Sequence, residues 1–175
     1  MFVGIHIDTS EVIAMSIQLD DDLLAVRARL GWSSDAAPGQ CCAVAGYDGS
    51  SSSAAALAYA TGWAQRNLGA VVIVHVDAAA GMTMAECAGA MTGMVAPEIP
   101  QTDMSADVEK EMAHSSTRWA YLNVSGDVAD QLERVAKALA ADVIVVGKSR
   151  HPRLRITSSV ARRLLSTTRH IVVVV

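Results

Sequence analysis

The sequence predicts an α/β protein built on a parallel sheet, and three observations carry that expectation. Short aliphatic runs such as Val71-Val72-Ile73-Val74 and Val143-Ile144-Val145-Val146 are apolar on both faces, helix-forming stretches alternate with them, and turn residues stand at the junctions. Strands of that kind belong in a sheet covered by helices on both sides, because a sheet with one wet face would alternate apolar and polar positions. Half of the 175 residues are hydrophobic (51%), yet only one Phe, three Tyr and three Trp occur, so Ala and Val must supply most of the core. One domain with right-handed crossovers is the expected organisation.

The first forty residues differ from the rest. Val3, Ile5 and Ile7, and then Ile13, Met15, Ile17 and Leu19, alternate with small or polar residues, which is the period of two half-buried strands. Asp8-Thr9-Ser10-Glu11 suits the hairpin turn between them. Asp20-Asp21-Asp22 places acid at a helix N-terminus ahead of Leu23, Leu24, Val26, Arg27 and Leu30, with Gly31 as a C-cap. Ser33 to Gln40 is a linker. Residues 1–40 are therefore expected as a β-β-α extension, and residues 41–175 as the main domain.

Beyond the linker, strand and helix alternate. Cys42 to Ala45 is a strand, Gly46-Tyr47-Asp48-Gly49 a turn, and Ser50 to Asn67 an alanine-rich helix followed by Gly69. Val71 to Val76 is a central strand. Residues 78–101, rich in Gly, Ala and Met, form a flap, a weak helix or a plain connection with its methionines on the core. A helix from Asp103 to Ser115 and a strand from Arg118 to Val124 follow. Asp127 caps a helix with the stripe Val128, Leu132, Val135 and Leu139. A fourth strand ends at Gly147, a basic loop follows, and a helix from Ser158 to Thr167 leads into the strand Ile171 to Val175.

Several classes of function find no support. A net charge of −4 offers no case for nucleic acid or an anionic membrane. Cys41, Cys42 and Cys87 show neither a disulfide framework nor zinc spacing, and Cys41-Cys42 suits buried filler. His114, His151 and His170 lack an i,i+4 partner, so no metal site is expected. Ser50 to Ser53 lacks the glycine flanks of a nucleophile elbow, and no acid–base pair accompanies it. There is no basic n-region before Arg27 and no membrane-length apolar run, so the cytoplasm is the expected compartment.

Taken as an ordered set, several segments resemble the universal stress protein family. They are Ala45-Gly46-Tyr47-Asp48-Gly49-Ser50, His75-Val76, Val124-Ser125-Gly126-Asp127, Ala141 to Gly147, Ser158-Ser159-Val160 and the terminal valine strand. The resemblance runs from about residue 41 onward and leaves the first forty residues aside. It implies an open five-stranded parallel sheet of order 3-2-1-4-5 with helices on both faces, of the adenine nucleotide alpha hydrolase-like kind. Carried over by position, it implies nucleotide contacts at Tyr47, Asp48, Val76, Val146, Gly147, Ser158, Ser159 and Val160, with ATP or AMP as the possible cofactor.

The loop departs from the nucleotide-binding pattern of glycine, two residues, glycine, nine residues, then Gly-Ser or Gly-Thr. Position 150 is Arg, the span to Ser158 is two residues short, and Pro152 removes a backbone donor. This is closer to the subgroup without nucleotide binding. Lys148, Arg150 and Arg153 either replace backbone donors as anion contacts or simply keep the loop solvated. Asp48 equally suits a ligand role or turn chemistry, and His75 suits a core histidine.

Ile171, Val172, Val173, Val174 and Val175 form a long uncharged edge strand in the implied order, which invites either pairing with a second subunit or cover by the N-terminal hairpin of the same or another chain. The expected function is a non-catalytic stress-response or regulatory protein acting as a homodimer, with possible regulatory protein partners. The alternative is an adenine-nucleotide switch holding ATP, AMP or a cyclic nucleotide; slow ATP hydrolysis is the weaker third reading.

Overall fold

The computed structural model describes residues 20–32, 40–77, 104–148 and 160–175. The expected hairpin, the linker at 33–39, the methionine-rich segment within 78–103 and the basic loop at 149–159 lie outside the described residues. In chain order the described elements are α1 (20–29), β1 (Cys42–Gly46), α2 (Ser51–Arg66), β2 (Ala70–Asp77), α3 (Ser105–Met112), β3 (Arg118–Ser125), α4 (Val128–Ala138), β4 (Val143–Val146), α5 (Val160–Thr167) and β5 (Ile171–Val174).

All five strands are parallel, in the order β3-β2-β1-β4-β5. β1 lies at the centre, with Val44 opposite Val72 of β2 and Ile144 of β4. Alternate residues feed two separate cores. Val44, Val72 and Ile144 pack with Leu132 and Val135 of α4, Leu139 just after it, Leu164 of α5, and Leu23, Val26 and Leu30. Ala43, Ala45, Val71, Ile73 and Val145 pack on the other face under α2 and α3. The inner side of α2 is Ala56, Leu57, Ala60 and Ala64, small enough for the helix to lie close on the central strands.

Helix starts follow the sequence signals. Ser50 Oγ accepts from the Ser53 N–H at 3.1 Å, and Asp127 Oδ1 accepts from the N–H groups of Ala129 and Asp130 at 3.0 and 3.1 Å. Helix ends depart from them. Gly31 takes the expected left-handed conformation (φ +68°), but after α2 it is Leu68 (φ +52°), and after α4 it is Ala140 (φ +49°), that do so. Gly69 is needed for a different reason, since a Cβ there would run into the Cys41 carbonyl.

The amino ends of β1 and β4 are laced together. Cys42 N–H donates to Asp142 Oδ2 at 2.8 Å, and Asp142 N–H donates to the Cys42 carbonyl at 2.9 Å. The Cys42 thiol is fully buried; burial, then the neighbouring Asp142 and Cys41, push its pKa up to about 12. A thiol held protonated in this way is core filler and a poor nucleophile.

Residues 20–32 are part of this core. Leu23, Val26 and Leu30 are buried in the same cluster as β2 and α4. The Arg27 guanidinium donates to the Ala138 carbonyl at 2.7 Å, where α4 ends, and Arg118 donates to the Leu30 carbonyl at 3.2 Å. Arg29 lies over the Trp119 ring at 4.7 Å.

Leu30→Ala should therefore cost about 2–5 kcal/mol in urea unfolding. Leu24→Ala, at a half-exposed position of α1 (54%), should change stability by about 0.5 kcal/mol or less. Equal, negligible effects would mean that α1 is not integral to the core.

Candidate functional site

In an open parallel sheet the crossovers leave a crevice where the strand order reverses, outside the carboxyl ends of the strands. Here the reversal falls between β1 and β4, because α2 covers one face and α4 the other. A cleft of about 480 Å³ opens at that point. Of the residues implied from sequence, it brings together Tyr47, Asp48, Val76, Val146, Gly147, Lys148 and Val160. Arg150, Arg153, Ser158 and Ser159 lie outside the described residues.

The floor is the end of β1 and the turn after it. Tyr47 N–H donates to the Val74 carbonyl at 2.9 Å, and its own carbonyl lies 2.9 Å from His75 Nδ1. A carbonyl can only accept, so His75 carries its proton on Nδ1 there and acts as a buried strut between β1 and β2. The Tyr47 ring is buried (6% exposed) in the core beneath α2 and α3, so this residue meets the cleft without offering a free ring to it. Burial, then Glu111, Asp107 and Asp48, raise the pKa of its phenol.

Asp48 stands at the exposed rim. Its Oδ1 accepts from the Ser50 N–H at 3.0 Å, its N–H donates to Ser53 Oγ at 3.3 Å, and Gly49 between them has φ +75°. This is an Asx turn feeding directly into the serine cap of α2. Burial works to raise the Asp48 carboxyl, but hydrogen bonds from the side chains of Ser50 and Ser53 and from the backbone outweigh it, and the group sits below its ordinary value. The carboxylate therefore stays ionised at the cleft mouth.

Gly147 is where β4 meets the first turn of α2. A Cβ on it would stand 2.5 Å from the Ser52 carbonyl carbon and 2.8 Å from the Ser53 nitrogen. Both are backbone atoms that cannot swing aside. Close packing of β4 on α2 alone demands glycine here. Next to it, the exposed Lys148 N–H donates to the Val175 carbonyl at 2.7 Å, so the wall of the cleft continues into the β5 edge.

The remaining walls were not named from sequence. Val128 and Leu132 of α4 and Ala161 of α5 add to Val76, Val146 and Val160, making one side aliphatic. Ser50, Ser51, Ser52 and Ser53 line the opposite side. The Val128-Leu132 spacing was visible as a helical stripe, but one stripe does not distinguish a core position from one at the mouth of a cleft. Among the described residues, the arrangement offers an apolar surface, the Asp48 carboxylate, a hydroxyl-rich helix start and the Lys148 ammonium. Such a set suits a ligand with an apolar ring, hydroxyls and an anionic group.

Comparison with known proteins agrees with this geometry. Residues 43–175 match the model of the universal stress protein family. Among solved structures, a universal stress protein in complex with cAMP is 21% identical, with a TM-score of 0.57 over 78% of this chain and 97% of that one. A universal stress family protein from Burkholderia pseudomallei is 25% identical, with a TM-score of 0.50 over 79% and 97%. The universal stress protein from Archaeoglobus fulgidus in complex with dAMP is 19% identical, with a TM-score of 0.51 over 77% and 96%. No curated protein matches the chain in sequence.

Two substitutions check the geometry. Gly147→Ala should cost about 1–3 kcal/mol in urea unfolding, because the added carbon overpacks the α2 backbone; an unchanged midpoint would mean that β4 and α2 are not in tight contact. A carboxyl with a lowered folded pKa contributes stability above its unfolded value and loses it as pH falls through the folded one. Asp48→Asn should thus destabilise at neutral pH and progressively less at acid pH, as the wild-type carboxyl takes up its own proton. An equal loss at both would contradict the lowered pKa.

Proposed function

The chain belongs to the universal stress protein family, and from that premise we propose a non-catalytic regulatory protein of the stress response whose cleft holds an adenine nucleotide. The observation that carries the reading is the cleft itself. It joins Asp48, Val76, Val146 and Gly147, from three different strand ends, around a volume of about 480 Å³, within the range of small-molecule sites. The cAMP and dAMP complexes of two proteins with this fold support the choice of an adenine nucleotide.

In this reading the aliphatic side of Val76, Val146 and Val160 takes the adenine ring, and Asp48 accepts from the ribose hydroxyls. Lys148 supplies a positive charge for phosphate. The lost second glycine and shortened loop remove much of a backbone cradle for a triphosphate, which favours AMP or a cyclic nucleotide over ATP. Hydrolysis is not part of this reading, because the described residues of the cleft offer no base beyond Asp48. The Asp48 carboxylate is engaged by Ser50 and is poorly placed to act as a base. Among the described residues no helix is long and apolar enough to cross a membrane, and the reading places the protein in the cytoplasm.

The second part of the proposal is a homodimer through β5. This strand is an edge, and Ile171, Val174 and Val175 are 68%, 43% and 38% exposed. Leu165 of α5 adds a further exposed apolar side chain (65%). An uncharged strand at the edge of the described sheet is self-complementary about a two-fold axis, which supports a second copy as its cover.

Thermal unfolding with AMP, cyclic AMP and ATP tests the nucleotide. A ligand at a hundred times its dissociation constant adds about 2.7 kcal/mol, a shift of a few degrees. No shift with any of the three at millimolar concentration would remove the nucleotide from the account. For the dimer, light scattering should show Ile171→Lys as a monomer, and a dimer retained by that variant would place the interface elsewhere.

A further inference from the structure

α5 supplies Val160 and Ala161 to the cleft, and among the described residues few of its side chains are buried. Leu164 is its one fully buried side chain, and Val160 and Ala161 are only partly covered. A single buried leucine fixes where a two-turn helix sits but does little to stop it rocking about that point. Charge restrains the rocking. Arg163 Nη1 donates to Asp127 Oδ2 at 2.7 Å, and Nη2 donates to both Asp130 carboxylate oxygens at 3.0 and 2.9 Å. Asp127 is also the residue that caps α4, through its other oxygen. The guanidinium therefore joins the first turn of α4, where Val128 lines the cleft, to the helix that adds Val160 and Ala161 to the same aliphatic side.

On the reading of the cleft given above, we infer that Arg163 is a positioning residue that sets how α4 and α5 meet in the aliphatic wall and so tunes ligand affinity without touching the ligand. Exposed ion pairs contribute little to global stability, and all three side chains here are roughly half exposed. Their effect is directional. A planar fork holding two carboxylates resists rotation in a way that a lysine ammonium does not. Leu164 keeps α5 on the sheet, and Arg163 decides how far its first turn stands from α4.

The test uses the full chain with Arg163→Met and Arg163→Lys. Hydrogen exchange of the α5 amides from Leu164 to Thr167 is measured without ligand, and dissociation constants are measured for AMP and for adenosine. Both variants should keep the wild-type unfolding midpoint to within about 2 °C. Exchange in α5 should quicken in Arg163→Met, and AMP and adenosine should both weaken by the same factor, about threefold to tenfold. Arg163→Lys should restore little of this. Unchanged exchange and affinity would overturn the inference. So would a loss confined to AMP, because Arg163 would then be a direct phosphate contact. If wild type binds neither ligand, the reading of the cleft itself fails and the inference falls with it.

Discussion

The contact on which the site depends is the meeting of the end of β4 with the first turn of α2. Gly147 lies so close to the Ser52 and Ser53 backbone that a Cβ would overlap it. That approach holds the central strands against an alanine-faced helix on one side of the sheet, while α4 covers the other. The gap between the two helix layers at this point is the cleft. Loosening the contact would widen the floor and shift Asp48, because Asp48, Ser50 and Ser53 form one hydrogen-bonded turn. A glycine that resembles a phosphate-loop residue thus has a packing duty that exists whether or not phosphate binds.

Much of the scaffold was legible because its signals are local. β2 and β4 are apolar on both faces, which only a covered parallel sheet requires, and Ser50 and Asp127 cap the helices their neighbours announce. The cleft residues Asp48, Val76, Val146 and Gly147 stand at strand ends and could be placed once the strand order was known. Less legible were features set by tertiary packing. Leu68 and Ala140 occupy left-handed positions where glycine is the ordinary choice. The Tyr47 ring turns into the core, and α1 completes a core that its separate β-β-α pattern did not announce. The Arg163 pairs join residues 33 and 36 positions apart, beyond the reach of any helical spacing rule.

The physical character of the cleft follows from these placements. One side is aliphatic, the other is a serine-lined helix start, and the charged groups Asp48 and Lys148 are exposed at the rim. Burial and hydrogen bonding act in opposite directions on Asp48, and hydrogen bonding prevails, so the cleft mouth carries a negative charge at neutral pH. An apolar face with charge kept at the mouth is the basis of the proposed reversible uptake of a small anion-bearing nucleoside. The Lys148-to-Val175 hydrogen bond makes the same wall continuous with the β5 edge proposed to face a second copy.

The central claim is that an adenine nucleotide occupies the cleft at the β1–β4 reversal. Amide chemical-shift mapping of the full chain titrated with AMP tests it most directly. The account predicts saturable shifts grouped at Gly46 to Ser53, Val76, Val146 to Lys148 and Val160 to Ala161. A titration without saturable shifts, or one whose shifts cluster away from those residues, would contradict it.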